Sequence, residues 1–355
     1  MSGISTVAGT DEHCDKCANL ATEQSIDSDA LCSFRCAPIL IIAFNRPDLL
    51  REQIRNIAAA RPTQVFLAVD GARNPEEEKL CSETRAAVGT IDWPCEVKTY
   101  FRDENRGCRN APPEAISWFF SEVESGIVLE DDCHPALSFI RFASELLERY
   151  KDDSRIGAIT AFNRYNLQTD TLCSYHFSKE FNVWAWATWK RVWKDYDVTM
   201  MRYVDGIENT IARHTRNRRM RNFWSKSIAA VLDGTCNTWD TQFSVMFVTK
   251  GYLSVLPRER LASNVGIGIQ VSTHTGGYDF YADEFSTCGH VDFPLIHPTE
   301  VIADKMADDR TERIVMGIIP RGLTFVGNKV PICIRSLITT FGKLLYRLLP
   351  RLFEL

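Results

Sequence analysis

Three consecutive carboxylates, Glu130-Asp131-Asp132, directly follow the apolar run Gly126-Ile127-Val128-Leu129. Like charges this close repel unless a cation or hydrogen bonds compensate. If the backbone stays extended, Glu130 and Asp132 point one way and Asp131 the other. Hard carboxylate oxygens suit Mn²⁺ or Mg²⁺. A divalent ion held there could bridge a diphosphate and neutralise a leaving group. The plainer alternative is an acidic helix start favoured by the helix dipole. A further carboxylate, Asp240, follows Trp239 and precedes the apolar, helix-like segment Phe243 to Val248. On residue type alone it reads as a helix N-cap.

These residues need a frame. Ile39 to Phe44 is a continuous apolar run, as a buried parallel strand requires. Pro47 opens a helix to about Ala60, with Leu50, Ile54 and Ile57 on one stripe. Val65–Val69, Val97–Phe101, Gly126–Leu129 and Ile156–Phe162 read as further strands. Helices are expected over Pro75–Val88, Ala111–Val123 and Pro135–Tyr150. Strict alternation predicts a mostly parallel sheet with right-handed crossovers. Ligands of such sheets bind beyond the carboxyl ends of the strands. Polar residues follow each strand there: Asn45-Arg46, Asp70-Gly71, Asn105-Arg106-Gly107 with Arg109, then the acidic triplet.

The 355 residues allow one large domain or two smaller ones. With 45% hydrophobic and 25% charged residues, wholesale disorder is excluded. A formal net charge of −5 argues against a protein that works by neutralising nucleic-acid phosphates. The 12 cysteines are mostly scattered, no secretory leader is visible at Met1 to Thr10, and no run spans a bilayer. A reduced, cytoplasmic setting is expected. Residues 1–37 form a polar leader expected to be disordered, unless Cys14, Cys17, Cys32 and Cys36 hold zinc. At the other end, Pro331 to Leu355 carries an apolar stripe beside Lys343, Arg347 and Arg351. Such a helix lies on an anionic membrane or packs on protein.

The ordered set Asn45-Arg46-Pro47, Val69-Asp70-Gly71, Asn105-Arg106-Gly107 and Glu130-Asp131-Asp132 resembles nucleotide-sugar glycosyltransferases of the GT-A fold. The likeness is to bacterial enzymes related to N-acetylglucosaminyltransferase I. It extends through Trp184 to Trp189, Thr238-Trp239-Asp240 and Ser263 to Gly266, covering roughly residues 38–277. The resemblance implies that Arg46 and Asp70 contact the nucleotide base. Arg109 takes a base or phosphate position where relatives carry histidine. Glu130 approaches ribose or sugar hydroxyls, Asp131 contacts the sugar and Asp132 holds the metal. Asp240 becomes the base that deprotonates the acceptor hydroxyl in an inverting transfer.

His274 sits among Gly266, Gly268, Gly276 and Gly277, in a stretch able to close over a donor, and could meet the metal or diphosphate. Its alternative is an ordinary loop residue. Trp184, Trp186, Trp189 and Trp193 read mainly as core, with Trp186 a candidate for lining the acceptor site. The run Arg213, Arg216, Arg218, Arg219 and Arg221 reads as a solvated face or one facing an anionic acceptor or membrane.

The expectation is therefore a metal-dependent glycosyltransferase with an α/β, GT-A-like fold, using Mn²⁺ or Mg²⁺. Its donor is a nucleotide-diphosphate sugar, UDP-sugar favoured, and its acceptor a glycan or glycolipid in polysaccharide biosynthesis. Residues 38–162 would bind the nucleotide-sugar and 163–300 the acceptor, with 301–355 a tail that could sit on the inner face of the cell membrane. The rivals are a sugar nucleotidyltransferase and a non-catalytic glycan-binding protein. The former usually carries a Gly-rich basic loop where this chain has Phe44-Asn45-Arg46-Pro47.

Overall fold

Strand and helix alternate from the first ordered element. These are β1 (Ile39–Ala43), α1 (Pro47–Ala58), β2 (Gln64–Val69), α2 (Pro75–Ala86), β3 (Glu96–Phe101), α3 (Gly107–Glu122) and β4 (Ser125–Glu130). A computed structural model describes residues 34–163, 172–265 and 288–317. The chain continues through β5 (Cys133–Pro135), α4 (Leu137–Arg149), β6 (Ile156–Thr160), β7 (Tyr175–Ser178) and β8 (Trp186–Trp189). Short helices α5 (Lys190–Trp193), α6 (Met201–Val204) and α7 (Ile207–His214) precede α8 (Arg218–Leu232) and α9 (Asp240–Lys250). β9 (Leu253–Pro257), β10 (Ala262–Asn264) and α10 (Lys305–Gly317) complete the order.

Eight strands form one sheet, ordered β3-β2-β1-β4-β8-β6-β9-β7, flanked by helices. β1, β2, β3 and β4 are mutually parallel, and only β8 and β7 run against the rest. β1 is central and nearly wholly buried, which its unbroken apolar sequence requires. Register aligns Ile42 with Ala68 on one side and Glu130 on the other. The ladder runs one step further, because Asp70 N–H donates to Ala43 O and Asp131 N–H to Ile42 O. The loops after β1, β2 and β4 therefore leave the sheet at one level.

Two element boundaries differ from the sequence expectation. The helix expected at Pro135 starts at Leu137, because Cys133–Pro135 pairs antiparallel with Ala262–Asn264 as a separate ribbon. The helix expected at Ala111 starts at Gly107 and carries Pro112 and Pro113 internally. Trp186 is not on an acceptor surface. It is 1% exposed and packs against Phe181, Trp239 and Phe243. This aromatic core, extended by Trp193 and Tyr196, ties β8 to the start of α9. No helix among the described residues is long and apolar enough to cross a membrane.

Candidate functional site

The carboxyl edge of β1, β2 and β4 gathers most of the expected residues. Asp132 is held from three sides. Arg46 Nη1 lies 2.9 Å from its Oδ2, Asn264 Nδ2 donates to its Oδ1 at 3.2 Å, and the Cys133 thiol donates to Oδ1 at 3.4 Å. Its carbonyl accepts from Val265 N–H. Asp131 is buried and turns toward β1. It accepts from Phe44 N–H and faces Arg46 Nη2 at 3.4 Å. Below the turn, fully buried Gln53 of α1 donates to the carbonyls of Glu130 and Cys133, bracketing the two aspartates. Neither Gln53 nor Asn264 was singled out as a site residue from sequence. A glutamine at a buried stripe position of α1 was the available signal.

Ligand atoms of Glu130, Asp132 and Cys133 lie within 4.8 Å of one another. The acidic crowding has electrostatic consequences. Burial, then Asp132, Asp131 and Asp240, push Glu130 up to about 8. Burial pushes Asp131 up to about 6, with the Arg46 guanidinium pulling the other way. Two hard carboxylates aimed together, with a single guanidinium as the positive charge beside them, fit a divalent cation. The Cys133 thiol is raised well above its usual value by burial and stays a hydrogen-bond donor.

Asp240 stands opposite. It is the first residue of α9, and Trp239, not Asp240, occupies the N-cap position. Its Oδ1 accepts from the Thr238 hydroxyl and from Thr241 N–H. Its charge helps to raise Glu130, Cys108 and Tyr196, so it lies near all three.

Asp70 and Arg109 both make hydrogen bonds within the protein. Both Asp70 oxygens accept from the 104–107 loop: Arg106 N–H at 3.0 Å, Gly107 N–H at 3.0 Å and Asn105 Nδ2 at 3.1 Å, besides Gly71 N–H. The carboxylate thus organises the loop that starts α3. Gly71 is required there, since a Cβ would lie 2.3 Å from the Glu104 carbonyl carbon. Arg109 Nη1 and Nη2 reach the Val231 and Val198 carbonyls at 3.3 and 3.4 Å, bracing α3 against the 196–232 region. His274, the glycines around it and Pro331 to Leu355 lie outside the described residues. So do Cys14, Cys17 and Cys32, whereas Cys36 is buried with its thiol on Ala37 O.

No protein-family model matches the chain, and no curated protein matches it. Among solved structures it is similar to 4-diphosphocytidyl-2C-methyl-D-erythritol synthase from Anaerococcus prevotii. That likeness covers 45% of this chain and 76% of the other, at 8% identity and a TM-score of 0.27. At that score it carries no weight for fold or activity.

Proposed function

We propose that this chain is a metal-dependent glycosyltransferase with a GT-A-like arrangement. It would move a sugar from a nucleotide-diphosphate sugar to a glycan or glycolipid, with inversion. The observation that carries this reading is the clustering of Glu130 and Asp132 at the end of β4, with Asp240 at the start of α9 near enough for its charge to raise Glu130. One carboxylate set suits a cation and diphosphate, and the other suits a proton transfer. Residues 38–162 supply the donor side and 163–300 the acceptor side.

In this reading Asp132 and Glu130 would hold Mn²⁺ or Mg²⁺, which would supply positive charge to offset that of a departing nucleotide diphosphate. Arg46 lies where it can meet donor phosphate or base once it leaves Asp132. Asp240 Oδ2, which makes no hydrogen bond among the described residues, accepts the acceptor hydroxyl's proton as that oxygen attacks the anomeric carbon. Burial of Trp239 and Phe243 fixes the base's backbone, so the geometry is set before substrate arrives.

A sugar nucleotidyltransferase could use the same carboxylates. The segment after β1 weighs against it, since Pro47 starts α1 at once and leaves no room for a glycine-rich phosphate loop. A thermal-shift screen of UDP-, GDP-, CMP- and dTDP-sugars with and without Mn²⁺ tests the proposal. One donor should raise the melting temperature only with metal. Asp132→Asn should abolish that metal-dependent shift while leaving the fold intact. A full shift in the variant, or pyrophosphate release from a nucleoside triphosphate and a sugar phosphate, would overturn the reading.

A further inference from the structure

From Asn209 to Leu232 the chain has five arginines and Lys226 but no Asp or Glu, in a protein whose formal net charge is −5. This segment folds as α7, a short turn and α8. Asn217 caps α8 by accepting from Arg219 and Met220 N–H. Met220, Ile228 and Val231 are buried against the fold. The opposite side is therefore fixed toward solvent, and Arg213, Arg216, Arg218 and Lys226 are exposed on it. Phe223 is 53% exposed there. It lies three residues before Lys226 and four after Arg219, so the ring stands among cations on one helix side.

Four of the cations on this face stand without an ion pair among the described residues. Several surface cations elsewhere pair, among them Lys98 with Glu122, Arg106 with Glu114, Arg155 with Asp153 and Lys305 with Asp309, while others, such as Arg55, Arg61 and Lys194, stand singly and scattered. Arg213, Arg216, Arg218 and Lys226 make no ion pair among the described residues. α8 is also close to the candidate base. Its Val231 carbonyl accepts from Arg109, and the segment after it leads directly to Asp240.

We propose that the α7–α8 face docks on an anionic membrane surface. A row of unpaired cations meets anionic headgroups, and an exposed aromatic ring among them enters the headgroup–acyl boundary. Nucleic acid is the poorer fit, because a flexible or wrapping polyanion would also meet the acidic remainder of the chain. Docking this face would bring the α9 side of the protein toward lipid-borne material. Docking through this surface is independent of the transferase reading.

The test uses the full chain and large vesicles. Wild-type protein should co-sediment with vesicles holding about 30% phosphatidylglycerol, not with pure phosphatidylcholine, and should release at about 0.5 M salt. The variant R216E/R218E/K226E should bind at least about ten-fold more weakly. Phe223→Ser should weaken binding at unchanged charge. If the charge reversal lowers folded yield, Arg216→Gln, Arg218→Gln and Lys226→Gln replace it. K343E/R347E/R351E serves as the control for the basic C-terminal segment. Four outcomes overturn the proposal: no wild-type binding, binding retained within about two-fold by the α8 variants, binding lost only in the C-terminal control, or retention by a polyanion matrix but not by vesicles. Nucleotide-sugar binding is measured without vesicles, so failure here leaves the proposed activity standing, and the reverse.

Discussion

The Arg46 guanidinium stands 2.9 Å from Asp132 Oδ2, and its other nitrogen stands 3.4 Å from Asp131 Oδ1. The first loop of the sheet thus supplies the counter-charge for the fourth. The pair is more than a surface contact, because Asp131 is buried and Asp132 and Arg46 are only partly exposed. A divalent ion and a guanidinium cannot share Oδ2 without repelling each other. Arg46→Met should therefore strengthen binding of Mn²⁺ alone, by about ten-fold or more on Coulombic grounds. The same variant should weaken nucleotide-sugar binding. Paramagnetic titration of free Mn²⁺ reads the first effect directly, and equal or weaker metal binding would show that Arg46 builds the site instead of competing within it.

Gln53 supports the same turn from below. Gln53→Leu keeps approximate volume but leaves the Glu130 and Cys133 carbonyls without their amide donor. A lost buried hydrogen bond costs about 1–3 kcal/mol. The substitution also removes the buried Gln53 Oε1, which has no partner among the described residues, so about 1 kcal/mol is expected. Urea denaturation should show a lower midpoint with an unchanged slope, together with weaker Mn²⁺ binding. An unchanged midpoint would mean that the turn holds itself.

Asp308 offers a pH test far from the acidic triplet. It accepts from the Ser178 hydroxyl at 2.6 Å and from Lys179 N–H, docking α10 on β7. Burial raises it from 3.8 to about 6, against the Ser178 hydrogen bond and nearby Lys179. The raised value means that the charged form is penalised in the folded protein. That penalty is full above the folded value and gone below the unfolded one. Wild type should therefore gain on Asp308→Asn as pH falls from about 7 to about 5, by roughly 1 kcal/mol after allowance for solvent screening. A wild-type stability that falls relative to Asp308→Asn over the same range would contradict the sign.

Strands β1, β2 and β4 and the residues after them were legible because each is a short apolar run punctuated by Pro, Gly or charge, whereas the edge strand β3 is more polar and only partly buried. Ile39–Ala43 is buried on both faces, so its sequence has no alternation to misread. The helix start at Gly107 was missed because Pro112 and Pro113 each lack an N–H and read as breakers. The ribbon at Cys133–Pro135 was missed because its partner, Ala262–Asn264, lies far along the chain, and no local pattern announces such pairing. Asp70 shows a related limit. Its residue type gave a polar site position, but that its oxygens are taken by the 104–107 loop follows only from the meeting of two loops in space. The placement of Trp186 follows the same logic, since a tryptophan's stacking partner, sugar or Phe243, is not written in its neighbours.

Asp240→Asn separates catalysis from architecture. The substitution keeps size, and Asn Oδ1 can still accept from the Thr238 hydroxyl and Thr241 N–H. What it removes is the proton acceptor and a negative charge at the start of α9. As general base, Asp240 accounts for about two to four orders of magnitude in turnover, so the variant should lose about that much. Donor affinity should barely change, because the base faces the acceptor. If Asp240 only complements the helix dipole, its loss should cost about 0.3–1 kcal/mol of stability, and turnover should survive. Losing the charge also relieves Glu130 of one repulsive neighbour, so the variant need not be less stable at all. Melting and single-turnover kinetics on the same preparation distinguish the cases. A near-normal transfer rate on the true acceptor would remove Asp240 from the mechanism. The proton acceptor would then be sought at Asp283 or Glu284, beyond the glycine-rich stretch that holds His274.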